Sequence, residues 1–215
     1  MRVLIACEFS GIVRDAFISR GHDALSCDLL PTERPGPHYQ GDVLDILNDG
    51  WDLMIAHPPC TYLSRAGQAW KTRPIKGKTS DEVTKFREDQ AQIAINFIKT
   101  LWSAPIEKIC IENPIGVANT RWRKPTQIVH PYYFGDNEMK ETCFWLKNLP
   151  RLNGLHNIDR LKDKPKPTPG KTRIGLDGKI KNQYFCGRMD NKANAAKMKS
   201  KTFPGIANAM ATQWG

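Results

Sequence analysis

The stretch DLMIAHPPC, residues 52–60, indicates the fold class of this 215-residue chain. The apolar run from Leu53 to Ala56 predicts a buried strand, and two prolines end it, because proline fixes φ and cannot donate to a sheet. The same prolines restrict the backbone that carries Cys60. A rigid backbone that aims a cysteine is typical of a nucleophile, although an unpaired cysteine is more often a small buried hydrophobe.

Strand and helix patterns alternate on both sides of this stretch. Before it, apolar runs predict strands at 3–7 and 22–28, with a short helical pattern between them at 11–21. After it, IEKICI (106–111) predicts the next strand. This alternation predicts an α/β fold with a mostly parallel sheet. The Pro- and Gly-rich segment 32–42 is predicted to be a loop.

Two further helices are predicted. Thr79 and Glu82 form a capping-box pattern at the start of a long helix. Near the end of the sequence, Ile206, Met210 and Trp214 lie four residues apart, which predicts a short helix that packs back on the core. The buried face of the long helix is predicted to comprise Val83, Phe86, Gln90, Ile93, Phe97 and Leu101.

The net charge of +10 is concentrated in one part of the chain. Residues 1–139 carry 16 Lys and Arg against 17 Asp and Glu, whereas residues 140–201 carry 16 against 5. A neutral core joined to a basic segment indicates a polyanion partner, most simply nucleic acid. Solvated lysine-rich surface is the alternative. The loop 61–79 offers further candidate phosphate contacts, namely Lys71, Arg73, Lys76 and Lys78.

The sequence lacks the patterns of secretion, membrane insertion and metal binding. No window approaches eighteen consecutive apolar residues, and the N-terminal MRVLIACEFSG reads as a first strand rather than a signal peptide. The six cysteines are scattered, with no CxxC pair or metal-ligand spacing. We therefore expect a cytoplasmic protein with no membrane partner and no metal site.

Carboxylates, a glycine and a thiol follow five short predicted elements. In parallel sheets, ligands bind beyond the carboxyl ends of the strands, so these residues predict an active site at one edge. A carboxylate directly after IEKICI is costly there without a partner. The residues concerned are Glu8, Phe9, Ser10, Gly11, Asp28, Asp42, Pro58, Pro59, Cys60, Glu112, Asn113 and Pro114.

Each of these residues also has a structural interpretation. Asp28 and Asp42 are equally typical of loop caps, and Phe9 of core packing. Cys60 has no cysteine-protease context, because His57 lies on the far side of two prolines and no partner pattern is evident.

Three motifs resemble those of the cytosine-5 DNA methyltransferases. PPCTYLSRAG (58–67) resembles their Pro-Cys motif, ENP (112–114) their Glu-Asn motif, and FSG (9–11) the start of their cofactor loop, in the same order along the chain. Nearly the whole chain resembles small phage and prophage proteins described as DNA cytosine methyltransferases. The resemblance implies a Rossmann-like, S-adenosylmethionine-dependent methyltransferase fold and a place in the cytoplasm of a bacterial host.

The resemblance also implies catalytic roles. Cys60 would attack C6 of cytosine in DNA, with Pro59 shaping its loop, and Glu112 would hold N3 and N4 of the base. C5 would then take a methyl group from S-adenosylmethionine, and β-elimination would free the cysteine. Lys140 stands where an arginine of a further catalytic motif is expected.

The cofactor contacts are implied in the same way. Phe9 would pack on the adenine, and Gly11 would let the backbone approach the cofactor. Asp28 would bind the ribose hydroxyls and Asp42 the adenine amino group. The implied cofactor-binding set is Phe9, Ser10, Gly11, Asp28, Asp42 and Pro58.

The chain departs from the family pattern in its cofactor loop and its size. Val13 and Arg14 replace glycines of the cofactor loop, and Thr61 replaces a common glutamine. Only a basic, loop-rich segment stands where the family has a large recognition domain, and one small module supplies only part of a specific DNA interface. We therefore expect short or relaxed sequence specificity, or a dimer.

The predicted organisation has three parts. Residues 1–150 form a catalytic methyltransferase domain, residues 151–201 a reduced, basic target-recognition appendage, and residues 202–215 the terminal helix. Within the appendage, LDGK (176–179) predicts a hairpin turn.

Two other functions remain open at this stage. The same thiol and acid chemistry would serve a pyrimidine nucleotide or RNA substrate, or another one-carbon donor. A non-catalytic DNA-binding protein on a methyltransferase scaffold is the other alternative, which the altered glycine loop suggests.

Overall fold

The structure, a computed structural model, describes residues 1–68, 74–154, 171–174, 180–183 and 200–215. Its strands are β1 (Arg2–Ala6), β2 (Asp23–Asp28), β3 (His38–Gln40), β4 (Leu53–Ala56), β5 (Lys108–Pro114), β6 (Gln127–Val129), β7 (Thr142–Lys147), β8 (Lys171–Ile174) and β9 (Ile180–Gln183). Its helices are α1 (Ile12–Ile18), α2 (Arg65–Gln68), α3 (Ser80–Trp102), α4 (Ala118–Arg121) and α5 (Pro204–Trp214), with short 3₁₀ turns at Val43–Asp45 and Pro131–Phe134.

Seven strands form one sheet in the order β3-β2-β1-β4-β5-β7-β6. β3, β2, β1, β4 and β5 run parallel, and β7 runs antiparallel between β5 and β6. Strand order reverses on either side of β1, which is the switch point of a doubly wound sheet. The predicted α/β fold class with a mostly parallel sheet is confirmed.

Alternate residues of the central strands pack against helices on opposite faces of the sheet. Leu4 and Met54 join Ile95 and Ile98 of α3 in one core cluster. On the other face, the cluster of Val3, Ile5 and Leu53 includes α1 and α5. Ile206, Met210 and Trp214 of α5 are all buried there, so the predicted terminal helix is confirmed.

The long helix begins where the sequence predicted but buries a different face. Thr79 accepts from Glu82 N, and the Glu82 side chain accepts from Thr79 N, which completes the capping box. Ile93, predicted to be buried, is 60% exposed. The prediction was wrong there because the core-facing positions include a small residue that carries little hydrophobic signal. The buried residues of α3 are Val83, Ala91, Ile95, Ile98 and Leu101.

Two further details concern predicted loops. Residues 38–40 form edge strand β3, with Ser26 opposite His38, where the sequence predicted a continuous loop. Three residues flanked by proline and glycine are too few to show strand alternation. β8 and β9 pair with Ile174 opposite Ile180, which confirms the hairpin; its turn at 175–179 lies outside the described residues.

The described helices include none that is long and apolar enough to cross a membrane. The boundary at residue 150 stays a prediction, because residues 155–170, 175–179 and 184–199 lie outside the described part of the chain.

Candidate active site at the carboxyl edge of the sheet

Three adjacent strands bring the candidate catalytic residues together. Ala6 of β1, Ala56 of β4 and Ile111 of β5 lie side by side in parallel register. The chain continues from β4 into His57-Pro-Pro-Cys60, and Glu112 follows Ile111 near the end of β5. The thiol and the carboxylate, 52 positions apart in sequence, therefore emerge at the same edge of the sheet.

The Pro-Cys loop is fixed by the chain that follows Glu112. Asn113, which is 1% exposed, donates its Nδ2 hydrogen to Pro58 O at 2.8 Å. Val117 N donates to Leu63 O at 2.8 Å. Gly116 allows this approach, since a Cβ there would lie 1.8 Å from Leu63 O. The backbone that carries Cys60 is thus clamped on a neighbouring strand as well as restricted by proline.

Glu112 is buried and has a histidine partner. Its Oε2 lies 3.0 Å from His57 Nδ1, and both side chains are at least 90% buried. Burial raises the pKa of Glu112, but the hydrogen bond from His57 and the charges of Lys140 and His57 outweigh it, so the pKa lies below its usual value. In the absence of substrate, Glu112 is therefore a carboxylate at neutral pH.

Cys60 is half-buried beside Glu112. Burial and the Glu112 charge raise the pKa of the Cys60 thiol, while the charge of Lys140 lowers it. Lys140 lies over the Phe203 ring at 5.8 Å from its centroid, at the N-terminus of α5. The site thus holds a thiol, a carboxylate and a lysine side chain, and burial together with the charge of the carboxylate suppresses the thiolate.

Alkylation of Cys60 should report this electrostatic coupling. Glu112→Gln removes the negative charge that raises the pKa of the thiol, so iodoacetamide should react faster at pH 8. Lys140→Met removes the opposing positive charge and should slow the reaction. Peptide mass spectrometry measures both rates across pH 7–10, with the exposed Lys99→Met as control. Equal rates in all variants would contradict the coupling.

A second group of predicted residues lines a cavity of about 210 Å³ beside β1 and β2. Asp28 and Asp42 both border it, and each also caps a turn: Asp28 Oδ1 accepts from Leu30 N at 2.9 Å, and Asp42 Oδ1 from Leu44 N at 3.0 Å. The cap interpretation is confirmed, and the caps fix both carboxylates at the cavity wall. The binding interpretation stays a prediction. The lining residues are Cys7, Cys27, Asp28, Leu29, Gly41, Asp42, Val43, Pro59 and Phe97.

The cavity has a negative potential. Burial first, and then the charges of Asp28, Asp42 and Asp45, raise the pKa of Cys27 to about 12. Burial, and then the charges of Asp28 and Asp42, raise the pKa of the Cys7 thiol. Neutral thiols, carboxylates and apolar side chains on one wall suit a ligand with a flat apolar ring, hydroxyl groups and a positive charge.

Phe9, Ser10 and Gly11 do not line this cavity, although Cys7 borders both it and a neighbouring one. Phe9 and Ser10 border a much smaller cavity with His57 and Thr202. Gly11 has φ +71°, and a Cβ there would lie 2.6 Å from the Arg14 guanidinium, so its lack of a side chain has a structural reason. Ser10 Oγ donates to Glu8 Oε1 at 3.0 Å.

The structure thus divides the predicted site residues into three groups. Cys60, Glu112, Pro58 and Lys140 form the first; Asp28, Asp42 and Pro59 the second; Phe9, Ser10 and Gly11 the third. Within the described part of the chain, no cluster of three or more His, Cys, Asp or Glu residues forms a metal site.

Sequence reasoning missed two contributors to this edge, His57 and Thr202, and the role of a third, Asn113. His57 seemed isolated by the prolines, yet it reaches Glu112 across the β4–β5 pair. The Asn113 side chain holds Pro58 through a hydrogen bond, and the position of Asn113 in the sequence did not predict this role. Thr202 Oγ1 lies 3.4 Å from His57 Nδ1 and comes from the far end of the sequence, where no motif points to it.

No protein-family model and no curated protein matches the sequence. Among solved structures, a similar chain is an E. coli protein described as a "putative DNA modification methyltransferase encoded within prophage". It is 14% identical, with a TM-score of 0.40, and the match covers 68% of this chain and 46% of that one. The chain thus spans less than half the length of that protein.

Proposed function

We propose that this protein is an S-adenosylmethionine-dependent DNA methyltransferase that acts on C5 of cytosine. The observation that carries the proposal is the convergence of the Cys60 thiol and the Glu112 carboxyl at one sheet edge, beside an acidic cavity. A buried carboxylate next to a thiol opposes thiolate formation, which is unfavourable for an isolated nucleophile. The pair becomes useful when a substrate takes a proton or hydrogen bond at the carboxyl group.

Addition to the pyrimidine uses the two groups together. The Glu112 carboxylate takes the proton of the Cys60 thiol, and the sulfur then gives its electron pair to C6. The ring electrons move to N3, which accepts that proton from Glu112. C6 of an aromatic pyrimidine is a poor electrophile unless an acid at N3 takes up this charge. Proton transfer to and from a positioned group of this kind contributes about 10²–10⁴-fold in rate.

The remaining steps restore the aromatic base. Addition at C6 makes C5 nucleophilic, and S-adenosylmethionine, when bound, supplies the methyl group that C5 accepts. Loss of the C5 proton to a base and cleavage of the Cys60–C6 bond then release 5-methylcytosine and the free thiol. A target base within duplex DNA must leave the stack to reach Cys60.

The acidic cavity is the proposed cofactor site. Asp28 and Asp42 would accept hydrogen bonds from hydroxyl and amino groups, and Leu29, Phe97 and Pro59 would cover an adenine ring. The negative potential favours the sulfonium charge. Because Pro59 borders both the cavity and Cys60, a methyl donor bound there would lie next to the nucleophile.

DNA would be bound by the basic segment 140–201 and the loop 61–79. In the described part of the loop, Lys76 and Lys78 are exposed. In the basic segment, Lys140 lies close enough to the Cys60 thiol for its charge to lower the thiol's pKa. Clustered cations bind the phosphate backbone with little sequence preference, and their affinity falls steeply with salt.

The decisive experiment is mass spectrometry of nucleosides from unmethylated DNA incubated with the protein and S-adenosylmethionine. The proposal expects 5-methylcytosine. A methyl group on an exocyclic amine of cytosine or adenine would contradict the thiol mechanism. Product only from RNA or free pyrimidine nucleotides would retain the mechanism and replace the substrate.

Cofactor binding separates this enzyme from a non-catalytic DNA-binding protein on the same scaffold. S-adenosylhomocysteine at 100 times its dissociation constant should stabilise an enzyme by about 2.7 kcal/mol, which thermal unfolding detects. A protein that binds DNA but shows no shift with this ligand would support the non-catalytic alternative.

A further inference from the structure

His57 is a buried titratable residue that the proposed mechanism does not yet use. The backbone at His57 is fixed, because His57 N donates to Ala6 O at 2.9 Å and a proline, Pro58, follows directly. Its side chain is 6% exposed. Nδ1 lies 3.0 Å from Glu112 Oε2, and Nε2 is buried without a hydrogen-bond partner among the described residues.

The geometry fixes the direction of the hydrogen bond. A carboxylate oxygen only accepts, so Nδ1 must carry the hydrogen that lies between His57 and Glu112. The Thr202 oxygen, 3.4 Å from the same nitrogen, shares that hydrogen weakly. In the described part of the chain, this is the only hydrogen bond to the Glu112 side chain, and it engages Oε2. Oε1 therefore remains for a ligand.

We propose that His57 is a positioning residue for Glu112: its Nδ1 hydrogen bond engages Oε2 and so presents Oε1 to the edge of the pyrimidine. This inference rests on the proposed function of Glu112. A carboxyl held by one oxygen cannot rotate freely, and a proton that it carries for N3 is confined to the other oxygen. Glu112 and Cys60 are then both held in a fixed orientation toward the same base, Glu112 by His57 and Cys60 by the prolines.

The charged groups around the pair give the proposal a measurable signature. On the substrate side, His57 and Glu112 face Lys140 and Cys60; on the other side, His57 borders the small cavity with Glu8 and Cys7. Against burial, the His57 hydrogen bond, the Lys140 charge and the His57 charge lower the pKa of Glu112. Loss of His57 removes two of these three influences, so the pKa of Glu112 should rise.

Two substitutions at His57 separate positioning from packing. His57→Phe keeps a flat ring but has no donor, and His57→Asn places an amide N–H near the position of Nδ1. We expect His57→Phe to lower the single-turnover methylation rate about 10–100-fold, as misplacement of a reacting group does, and His57→Asn to restore most of the loss. His22→Phe, at the opposite edge of the sheet, is the control and should retain the wild-type rate.

Carbon-13 NMR of the Glu112 carboxyl, assigned with Glu112→Gln, provides a readout that is independent of catalysis. The titration midpoint should move to higher pH in His57→Phe, and the acidic limb of the pH–rate profile should move with it. A folded His57→Phe protein with the wild-type rate and midpoint would overturn the inference. A His57→Asn protein whose methylation rate is as low as that of His57→Phe would also overturn the inference.

Failure of the proposed function would look different. A wild-type protein that makes no methylated base sinks the methyltransferase proposal, whatever the His57 variants do. The NMR titration still decides the His57–Glu112 pairing in that case, since an unchanged midpoint in His57→Phe rejects it and a raised midpoint supports it.

Discussion

Cys60→Ala is expected to abolish 5-methylcytosine formation, with a loss of at least about 10⁴-fold in the single-turnover rate. The reason is that alanine cannot form the bond to C6, and without that bond C5 of cytosine does not become nucleophilic. Removal of a covalent nucleophile eliminates the catalysed path rather than slowing one of its steps. Nucleoside mass spectrometry measures the loss directly.

Binding should survive the same substitution. Cys60 is half-buried in a loop whose geometry depends on Pro58, Asn113 and Gly116, none of which is changed. Cys60→Ala should therefore keep the wild-type affinity for S-adenosylhomocysteine and for DNA. A variant that loses activity and cofactor binding together would indicate collapse of the loop and leave no evidence for a nucleophile.

Cys110→Ala is the matched control. Cys110 lies on β5 only two positions before Glu112, but its thiol is fully buried in the core, on the face that carries α1 and α5. Its removal should cost stability, as small core deletions do, and leave the methylation rate of the folded protein unchanged. An equal loss of methylation rate in Cys60→Ala and Cys110→Ala would contradict the role of Cys60 as the nucleophile.

Arg14→Met is expected to lower the free energy of unfolding by about 3–5 kcal/mol. Arg14 is fully buried on α1, and its guanidinium donates to Asp15 Oδ1 at 2.8 and 2.9 Å. It also donates to the carbonyls of Arg34 and Pro35, both at 3.1 Å. The Asp15 side chain is 35% exposed, so the cost comes mainly from the carbonyl groups that lose their charged donor and from the lost packing of the buried side chain.

The expected loss is large enough to measure by either heat or urea. For a protein of this size, each kcal/mol lowers the melting temperature by about 2–4 °C, so Arg14→Met should melt roughly 6–20 °C lower. Arg20→Met, an exposed substitution just beyond the same helix, should change stability by less than about 0.5 kcal/mol. Similar small effects for both arginines would show that the network contributes little.

Arg14 also shows where sequence reasoning was limited. The sequence presents it as a departure from a glycine-rich cofactor loop, whereas the structure shows it binding the loop before β3. An arginine in a short amphipathic helix normally points to solvent, so no local pattern reveals that this one is buried. Its carbonyl partners, Arg34 and Pro35, lie about twenty residues away in the sequence, and only the fold brings them near.

The parallel sheet itself was predictable, and with it the meeting of Cys60 and Glu112. Buried apolar runs ending in polar residues predict strands, and parallel strands bring their carboxyl ends to one edge. His57 was not predictable in the same way, because its pairing depends on the side chain's direction after β4. Edge strand β3 was missed because three residues carry no usable periodicity.

The clamp between the Pro-Cys loop and the segment after Glu112 has a consequence for how such a protein diversifies. The backbone hydrogen bond from Val117 to Leu63, which requires glycine at position 116, ties the Pro-Cys loop and the segment after Glu112 into one block. The segment 151–201, proposed as the reduced target-recognition region, lies outside that block in the sequence. Recognition can therefore be exchanged or shortened during evolution while the chemistry stays aligned, and a laboratory graft of a new target-reading segment should start from residues beyond this junction.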